Sequence, residues 1–337
     1  MKKFLVTGAT GFLGRHLVEK LKTQREKDPE GISVRILARG QNHGQPHPKI
    51  EIVYGDIRDP QAVERAVAGV SGIFHLAGSV SRRPAQAAEL FDTHVGGTRN
   101  ICESALAHGR PKIVLASSSG TIAVSRQPAM HTEDSPYAYE IVGRWPYYLS
   151  KTYQEKLALC YHARHNLPVV VVNPSLLLGP GDERLSSTAD VQKFLNRRFP
   201  SVPTGGLNFV DVRDAADAFI QAMAVGVPGR RYLLGGHNVT VKEFFALLER
   251  VARVRAPRWQ PPEMFSRRSL AVVRRLYAWV GRHFPVDDAT VEMAYRFWYC
   301  DSGRAKSELG LAPRSAEETI RETVEFLRQR KSLSSQN

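Results

Sequence analysis

The stretch that most constrains this chain is its start, Met1 to His16, which reads MKKFLVTGATGFLGRH. Phe4-Leu5-Val6 is a short apolar run of the kind that makes a fully buried strand. Gly8, Gly11 and Gly14 follow at three-residue spacing, and an amphipathic helix is expected to begin among them. The spacing is G-x-x-G-x-x-G rather than G-x-G-x-x-G, but the physical logic is shared. One glycine makes the tight strand-to-helix turn, one lets a pyrophosphate approach the backbone, and one lets helix and strand pack closely. The free N–H groups of the first helical turn then face the anion. A glycine triplet alone is weak in a chain with 26 glycines. Its place between an apolar strand and a helix makes it a dinucleotide-binding signal.

The alternation continues downstream. Leu13, Leu17, Val18 and Leu21 share one helical face, and Lys22 to Gly31 reads as a charged connection. Ile32 to Ala38 is a second strand ending in Arg39 and Gly40. An acidic residue at that point holds the adenosine ribose hydroxyls, whereas an arginine accommodates a 2′-phosphate, so Arg39 argues for NADP over NAD. Gln41 to Lys49 is a loop containing His, Pro and Gly, and its histidines are assigned no metal role. Ile50 to Tyr54 is a third strand, followed by Asp56, placed to meet an adenine edge. A helix over Gln61 to Val70 leads to a strand over Gly72 to Leu76, which runs into the small residues Ala77 and Gly78. Ala87 to His108 reads as one long helical segment, and Lys112 to Ala116 as a strand ending in Ser117-Ser118-Ser119-Gly120. Such repeats predict a parallel, doubly wound α/β sheet with ligands at the strands' C-terminal ends.

Thr121 to Trp145 reads as irregular and polar, long enough for an active-site flap. Pro146 suits a first helical position, and Leu167 to Val172 is a sixth strand. Asn208 to Val212 and Arg231 to Leu234 are strand-like, with a helix expected over Asp214 to Val225. Thr240 with Glu243 forms a capping-box pattern opening a helix to Val251. Pro313 to Arg330 carries a Ser315 cap and a charged amphipathic helix, and Ser332 to Asn337 reads as a frayed tail.

Tyr147 and Lys151 lie four apart on the helix after Pro146 and share a face. A free phenol titrates near 10, too high for efficient acid–base work at neutral pH. A lysine ammonium one turn away, together with a positive nicotinamide ring, would favour the phenolate. That lysine can also hold the nicotinamide ribose hydroxyls. A serine at a neighbouring strand end, Ser119, would orient the substrate oxygen while the cofactor transfers a hydride.

Bulk properties narrow the classes. The 337 residues suffice for one large α/β domain with a smaller lobe, or for two modest domains. No run approaches 18 apolar residues, and the strand at the N-terminus leaves no room for a signal peptide. Cys102, Cys160 and Cys300 are far apart and fit buried reduced thiols, so a cytoplasmic location is expected. The net charge of +14 comes without a nucleic-acid module or a stacking platform, so no nucleic-acid partner is expected. Met264 to Phe284 interleaves apolar residues with Arg267, Arg268, Arg274, Arg275 and Arg282. Such a helix either covers the active site or rests on a membrane surface, and the first reading is preferred.

These motifs make the chain resemble an extended short-chain dehydrogenase/reductase. Thr7-Gly8-Ala9-Thr10-Gly11-Phe12-Leu13-Gly14 is similar to that group's T-G-x-x-G-[FY]-[LI]-G, Tyr147 to Lys151 to its Y-x-x-x-K, and Ser117 to Ser119 to its serine-rich segment, whose third position carries the catalytic hydroxyl. The finer resemblance is to dihydroflavonol-4-reductase-like and 3β-hydroxysteroid dehydrogenase-like proteins, including a bacterial hopanoid-associated branch. It rests on Asn173 to Pro180, Asn208 to Asp214 and Arg231 to Gly236. The group's N-V-x-G-T motif begins here with His94 in place of asparagine.

The resemblance implies a Rossmann-type doubly wound parallel sheet with a smaller mixed C-terminal substrate lobe. The dinucleotide domain is expected over 1–175, taking back about 208–225, with the lobe over 176–207 and 226–330 and a tail over 331–337. It implies Ser119, Tyr147 and Lys151 as the catalytic set. Cofactor contacts are expected from Thr7, Gly8, Thr10, Gly11, Phe12, Leu13, Gly14, Arg39, Asp56, Ile57, Leu76, Ala77, Gly78, Pro174 and Ser175, besides Tyr147 and Lys151. Ser79, Leu176 and Leu177 are the expected substrate contacts. The function implied is an NADP(H)-dependent oxidoreductase acting on a bulky apolar carbonyl or alcohol, with no metal. The alternatives are a nucleotide-sugar epimerase or dehydratase with tightly held NAD, and a non-catalytic dinucleotide sensor, which would tend to lose the Tyr/Lys pair. Homodimers are usual in the group.

Overall fold

Alternate residues of the strands face two separate cores, and this sets the architecture. The structure is a computed structural model and describes residues 2–27, 31–40, 50–266, 268–269, 275, 279 and 288–334. Its strands are β1 (Lys2–Thr7), β2 (Ile32–Ala38), β3 (Ile50–Tyr54), β4 (Gly72–His75), β5 (Lys112–Ala116), β6 (Val169–Pro174), β7 (Leu176–Leu178), β8 (Gly206–Asp211), β9 (Arg231–Leu234) and β10 (His237–Thr240). Seven form one sheet in the order β3-β2-β1-β4-β5-β6-β9, and each pair is parallel. In β6, Val170 and Val172 pack on one face while Val169 and Val171 pack on the other. The first face is covered by helices Phe12–Lys27 and Val212–Ala224, the second by Pro60–Val67, Gly97–Ala107 and Pro146–His165. Helices on both faces explain why these strands read as continuous apolar runs.

The strand order reverses between β1 and β4, which places the ligand crevice at their C-terminal ends. A smaller mixed sheet, β10-β8-β7, pairs β8 antiparallel with β10 and parallel with β7. With helices Ala189–Leu195, Val241–Ala252 and Ala316–Ser334 it encloses a third core around Phe194, Phe209, Phe244, Leu248 and Val324. The capping box at Thr240 and Glu243 is present.

Several expected boundaries move. β9 is the seventh strand of the main sheet, and Ala305 and Leu309 pack on its core, so this part of 226–330 belongs with the dinucleotide domain. Conversely, residues 208–211 lie in β8 of the small sheet, and only the helix after them returns to the main one. The first helix runs on through Lys27, and the last through Ser334, so 331–334 are helical rather than a tail. Residues 335–337 lie outside the described residues. The expected helix over 87–108 divides into Ala87–Phe91, a π-turn at Asp92–Gly96 and Gly97–Ala107, a local widening at the paired glycines.

Residues 121–145 are packed at their ends and exposed in the middle: Thr121, Ile122, Ala123, Val124, Val142 and Trp145 are buried, whereas 126–130 are exposed. Ala138 N–H bonds Thr121 O, and Ser125 bridges to Phe297. Apolar residues scattered at no regular period supply this packing, which a periodicity reading passes over. Cys102 and Cys300 are buried as expected, but Cys160 is exposed. The loop over 41–49 lies outside the described residues, as do 267, 270–274, 276–278 and 280–284 of the basic segment. Among the described residues no helix is long and apolar enough to cross a membrane, and no cluster could hold a metal ion.

Candidate active site

The nucleotide half of the crevice is built from backbone. Gly8 has φ +72°, and a Cβ there would lie 2.6 Å from the Leu76 carbonyl carbon and 2.7 Å from Ala77 N. A side chain at Gly14 would fall 2.8 Å from Ala9 Cα. Gly11 meets only Gly8 O, at 3.2 Å, so its outer side stays open. These are the turn, the close packing and the open approach expected of the three glycines, at the N-terminus of Phe12–Lys27. Nearby, the buried Ser175 Oγ has no hydrogen-bond partner among the described residues. An open glycine cradle and an unpaired hydroxyl at the end of β6 both fit a dinucleotide.

The other expected contacts divide. Phe12 and Leu13 turn their side chains into one core and Ile57 into the other, so only their backbones are available. Thr7 Oγ1 is fully buried, accepts from Ala77 N–H at 3.1 Å, and bonds His75 Nδ1 at 2.9 Å. Thr10 meets Arg184 of the lobe at 3.5 Å. Pro174 is buried at the end of β6. Arg39 is exposed at the end of β2. Asp56 is held by Arg58 in a two-point pair, Nε–Oδ1 at 3.0 Å and NH2–Oδ2 at 2.9 Å, which keeps its carboxyl below the usual range.

The catalytic half is built from side chains on Pro146–His165, with Pro146 in its first turn. Lys151 is buried, and its Nζ donates to Ala116 O at 2.8 Å and to Gln154 Oε1 at 2.9 Å. Burial lowers its pKa to about 7, opposed by the charge of Glu155. A Cβ on Gly78 would lie 3.4 Å from this nitrogen. Burial and neighbouring Tyr148 push the Tyr147 phenol well above its ordinary pKa, and hydrogen bonding with the Ser118 side chain works against them. The protein's own groups therefore do not lower the phenol pKa as expected, because burial acts on both partners and weakens the ammonium.

The serine beside Tyr147 is Ser118, not Ser119. Ser118 caps the short 3-10 turn Ser119–Thr121, and its Oγ accepts from Gly120 N–H at 3.3 Å. The turn begins at Ser119 itself, which is buried at 6% exposure. Ser117 Oγ donates to Glu155 at 2.7 Å. Glu155, fully buried, also accepts from Asn173 Nδ2 at 2.8 Å and Tyr137 OH at 3.1 Å, joining β5, β6 and residues 121–145 to the helix.

His94 takes up the position left by asparagine. Its Nε2 accepts from Ser79 N–H at 3.3 Å, which makes Nδ1 the donor to Ser150 Oγ at 2.8 Å. Ser150 donates in turn to Tyr147 O. Burial holds the imidazole neutral, its pKa well below the usual value. The loop at Ser79 is thus tied to the turn that carries Tyr147.

A family model described as "NAD dependent epimerase/dehydratase family" matches residues 4–235. The chain belongs to that family. Its resemblance to dihydroflavonol-4-reductase-like members holds among the relatives as well. The chain is 30% identical over 338 residues to "Sterol demethylase protein B" of Methylococcus capsulatus, covering 97% of this chain and 98% of that one. It is 28% identical over 284 residues to dihydroflavonol 4-reductase of Zea mays, covering 77% and 76%. The crystal structure of gox2253 superposes with a TM-score of 0.83 at 29% identity, over 98% of each chain. An NAD-dependent enzyme family of the oxidoreductase and epimerase type accounts for the glycine turn and for the Tyr147/Lys151 helix.

At the lobe side of the family's crevice the three leucines separate. Leu178 is fully buried, Leu177 packs against the main core, and Leu176 is 37% exposed. Ser79 and Val80 are exposed across from the lobe. The neighbouring Tyr148 ring lies over Gly120 and 5.1 Å from Trp298. Sequence reasoning passed over His75, Thr98, Gln154 and Glu155. The last two fall seven and eight residues after Tyr147, a helical spacing that signals one shared face.

Proposed function

We propose that this chain is an NADP(H)-dependent oxidoreductase that interconverts a carbonyl and a secondary alcohol on a bulky apolar substrate. The observation that carries the proposal is the convergence of Tyr147, Lys151 and Ser118 at the C-terminal end of β5, beside Gly78. The bound dinucleotide supplies or accepts the hydride. Tyr147 gives the substrate oxygen its proton, or takes it in the oxidative direction. Ser118 hydrogen-bonds that oxygen and fixes its distance from the phenol. Lys151, with two of its three N–H donors used inside the protein, offers the third to the cleft. Ser118 replaces Ser119 in the role expected from the third position of the serine segment.

Arg39, exposed where a ribose-binding carboxylate would otherwise stand, supports NADP over NAD. Asp56, the nearby acid, is already paired with Arg58. Leu176, Val80 and the Tyr148–Trp298 wall support an apolar substrate. The full-length relative named for a sterol and the reductase relative from maize point the same way. The competing reading is a nucleotide-sugar epimerase or dehydratase with retained NAD, favoured by the family's own description.

The test is Tyr147→Phe assayed with NADPH and a panel of sterol, polyketide and aryl ketones. Turnover is expected to fall about a thousandfold or more, with NADPH affinity within twofold of the parent. Undiminished turnover would remove Tyr147 from the mechanism.

A further inference from the structure

Lys151 does not sit alone in the protein interior. Its Nζ donates to Gln154 Oε1 at 2.9 Å, and Gln154 Nε2 donates to Thr98 Oγ1 at 2.8 Å. Thr98 Oγ1 meets His75 Nε2 at 2.8 Å, and His75 Nδ1 meets Thr7 Oγ1 at 2.9 Å. Thr7 Oγ1 accepts the Ala77 N–H, at the strand end facing Gly8. Gln154, Thr98, His75 and Thr7 are all at most 1% exposed. The chain of bonds crosses β1, β4 and two helices, from the glycine turn to the lysine.

We propose that Gln154 is a positioning residue, whose amide holds the Lys151 ammonium and ties it through Thr98 and His75 to the glycine-rich turn. The proposal rests on the reading of Lys151 as the partner of Tyr147. The amide's orientation follows from Lys151: a flipped Gln154 would set its NH2 donors against the ammonium. Ala116 O and Gln154 Oε1 are both neutral acceptors, so they fix the nitrogen without giving it a contacting counter-ion.

The charged and titratable groups acting on Lys151 are Glu155 from its own helix, His75 from β4 and His94 from the π-turn, with the Tyr147 ring against His94. Both histidines are held neutral by burial, His75 with its pKa lowered to about 3. Glu155 accepts from Ser117, Thr121, Asn173 and Tyr137 and has Arg231 as its ion-pair partner at 3.6 Å. The neutral Gln154 contact thus leaves Lys151 able to gain and lose its proton close to neutral pH.

The experiment compares Gln154→Glu, Gln154→Ala and Thr98→Val with the parent, reading NADPH affinity by fluorescence from pH 5.5 to 9.5 alongside kcat and KM. Gln154→Glu sets a carboxylate against the ammonium, and the pH midpoint of NADPH binding is expected to rise by at least one pH unit. Gln154→Ala removes the acceptor, and the midpoint is expected to fall while kcat drops about tenfold. Thr98→Val keeps the side-chain volume and removes the anchor of the amide, so it is expected to shift the midpoint in the same direction as Gln154→Ala by less. A purely structural role would lower thermal stability and leave the midpoint in place. Parental midpoints and kcat in the folded variants would overturn the proposal. Undiminished turnover in Tyr147→Phe would instead overturn the catalytic reading, which the NADPH-binding midpoint does not depend on.

Discussion

The two halves of the crevice are made of different materials. The nucleotide half is backbone: Gly8 at positive φ, Gly14 under the helix, Gly11 open, with Phe12, Leu13 and Ile57 serving the cores. The catalytic half is a set of buried side chains bonded to one another, in which Lys151, Gln154, Thr98, His75, Glu155 and Asn173 come from four separate elements. Backbone sites tolerate change in distant side chains but not in their own glycines. Side-chain sites depend on every member of the network being paired.

The sharpest way to break this contrast is at Gly8. Gly8→Ala forces a β-carbon into the Leu76–Ala77 backbone and a left-handed conformation on alanine. The loss is expected to be roughly 3 kcal/mol in urea unfolding, with NADPH binding lost. A well-folded, NADPH-binding variant would show that the turn is not backbone-limited.

A smaller effect separates the serines. Ser118→Ala is expected to lower kcat about a hundredfold, and Ser119→Ala about threefold or less, in the same ketone assay. The reverse ranking would restore the third serine to the catalytic role and place Ser118 as a turn cap only.

A further effect is a pH slope. The Lys151 pKa is about 7 in the folded protein and about 10.4 in an unfolded chain. Between those values the unfolded state binds more protons, so this residue makes stability rise with pH from about 7 to 10. Lys151→Met is expected to flatten that rise in urea unfolding measured at pH 7 and pH 9.5, while abolishing turnover. An unchanged slope would mean that Lys151 titrates normally, and would weaken the account of its neutral acceptors.

The same contrast explains what was legible in the sequence. The glycine turn, β2, β3, β5 and β9 depend on local spacing and short apolar runs, and they fall where those patterns place them. Tyr147 and Lys151 are also a local pair. The choice between Ser118 and Ser119 turns on where a three-residue 3-10 turn begins, which spacing does not encode. Thr7, His75, Thr98 and Gln154 are separated by 68, 23 and 56 residues along their contacts, so nothing local links them. The move of β9 into the main sheet and of β8 into the lobe has the same origin, because strand partners are set by the tertiary fold. The buried side chains at the ends of 121–145 follow no period, so the pattern shows only the polar, exposed stretch between them.

An exchangeable NADP(H) would separate this chain from an epimerase that keeps its NAD. The most direct measurement is to denature freshly purified protein, identify the nucleotide it releases, and titrate the nucleotide-free protein with NADPH and NADH. Exchange requires little retained nucleotide, and NADPH is expected to bind at least about tenfold tighter than NADH, with the difference largely lost in Arg39→Ala. Near-stoichiometric release of NAD would contradict it and move the search to nucleotide sugars.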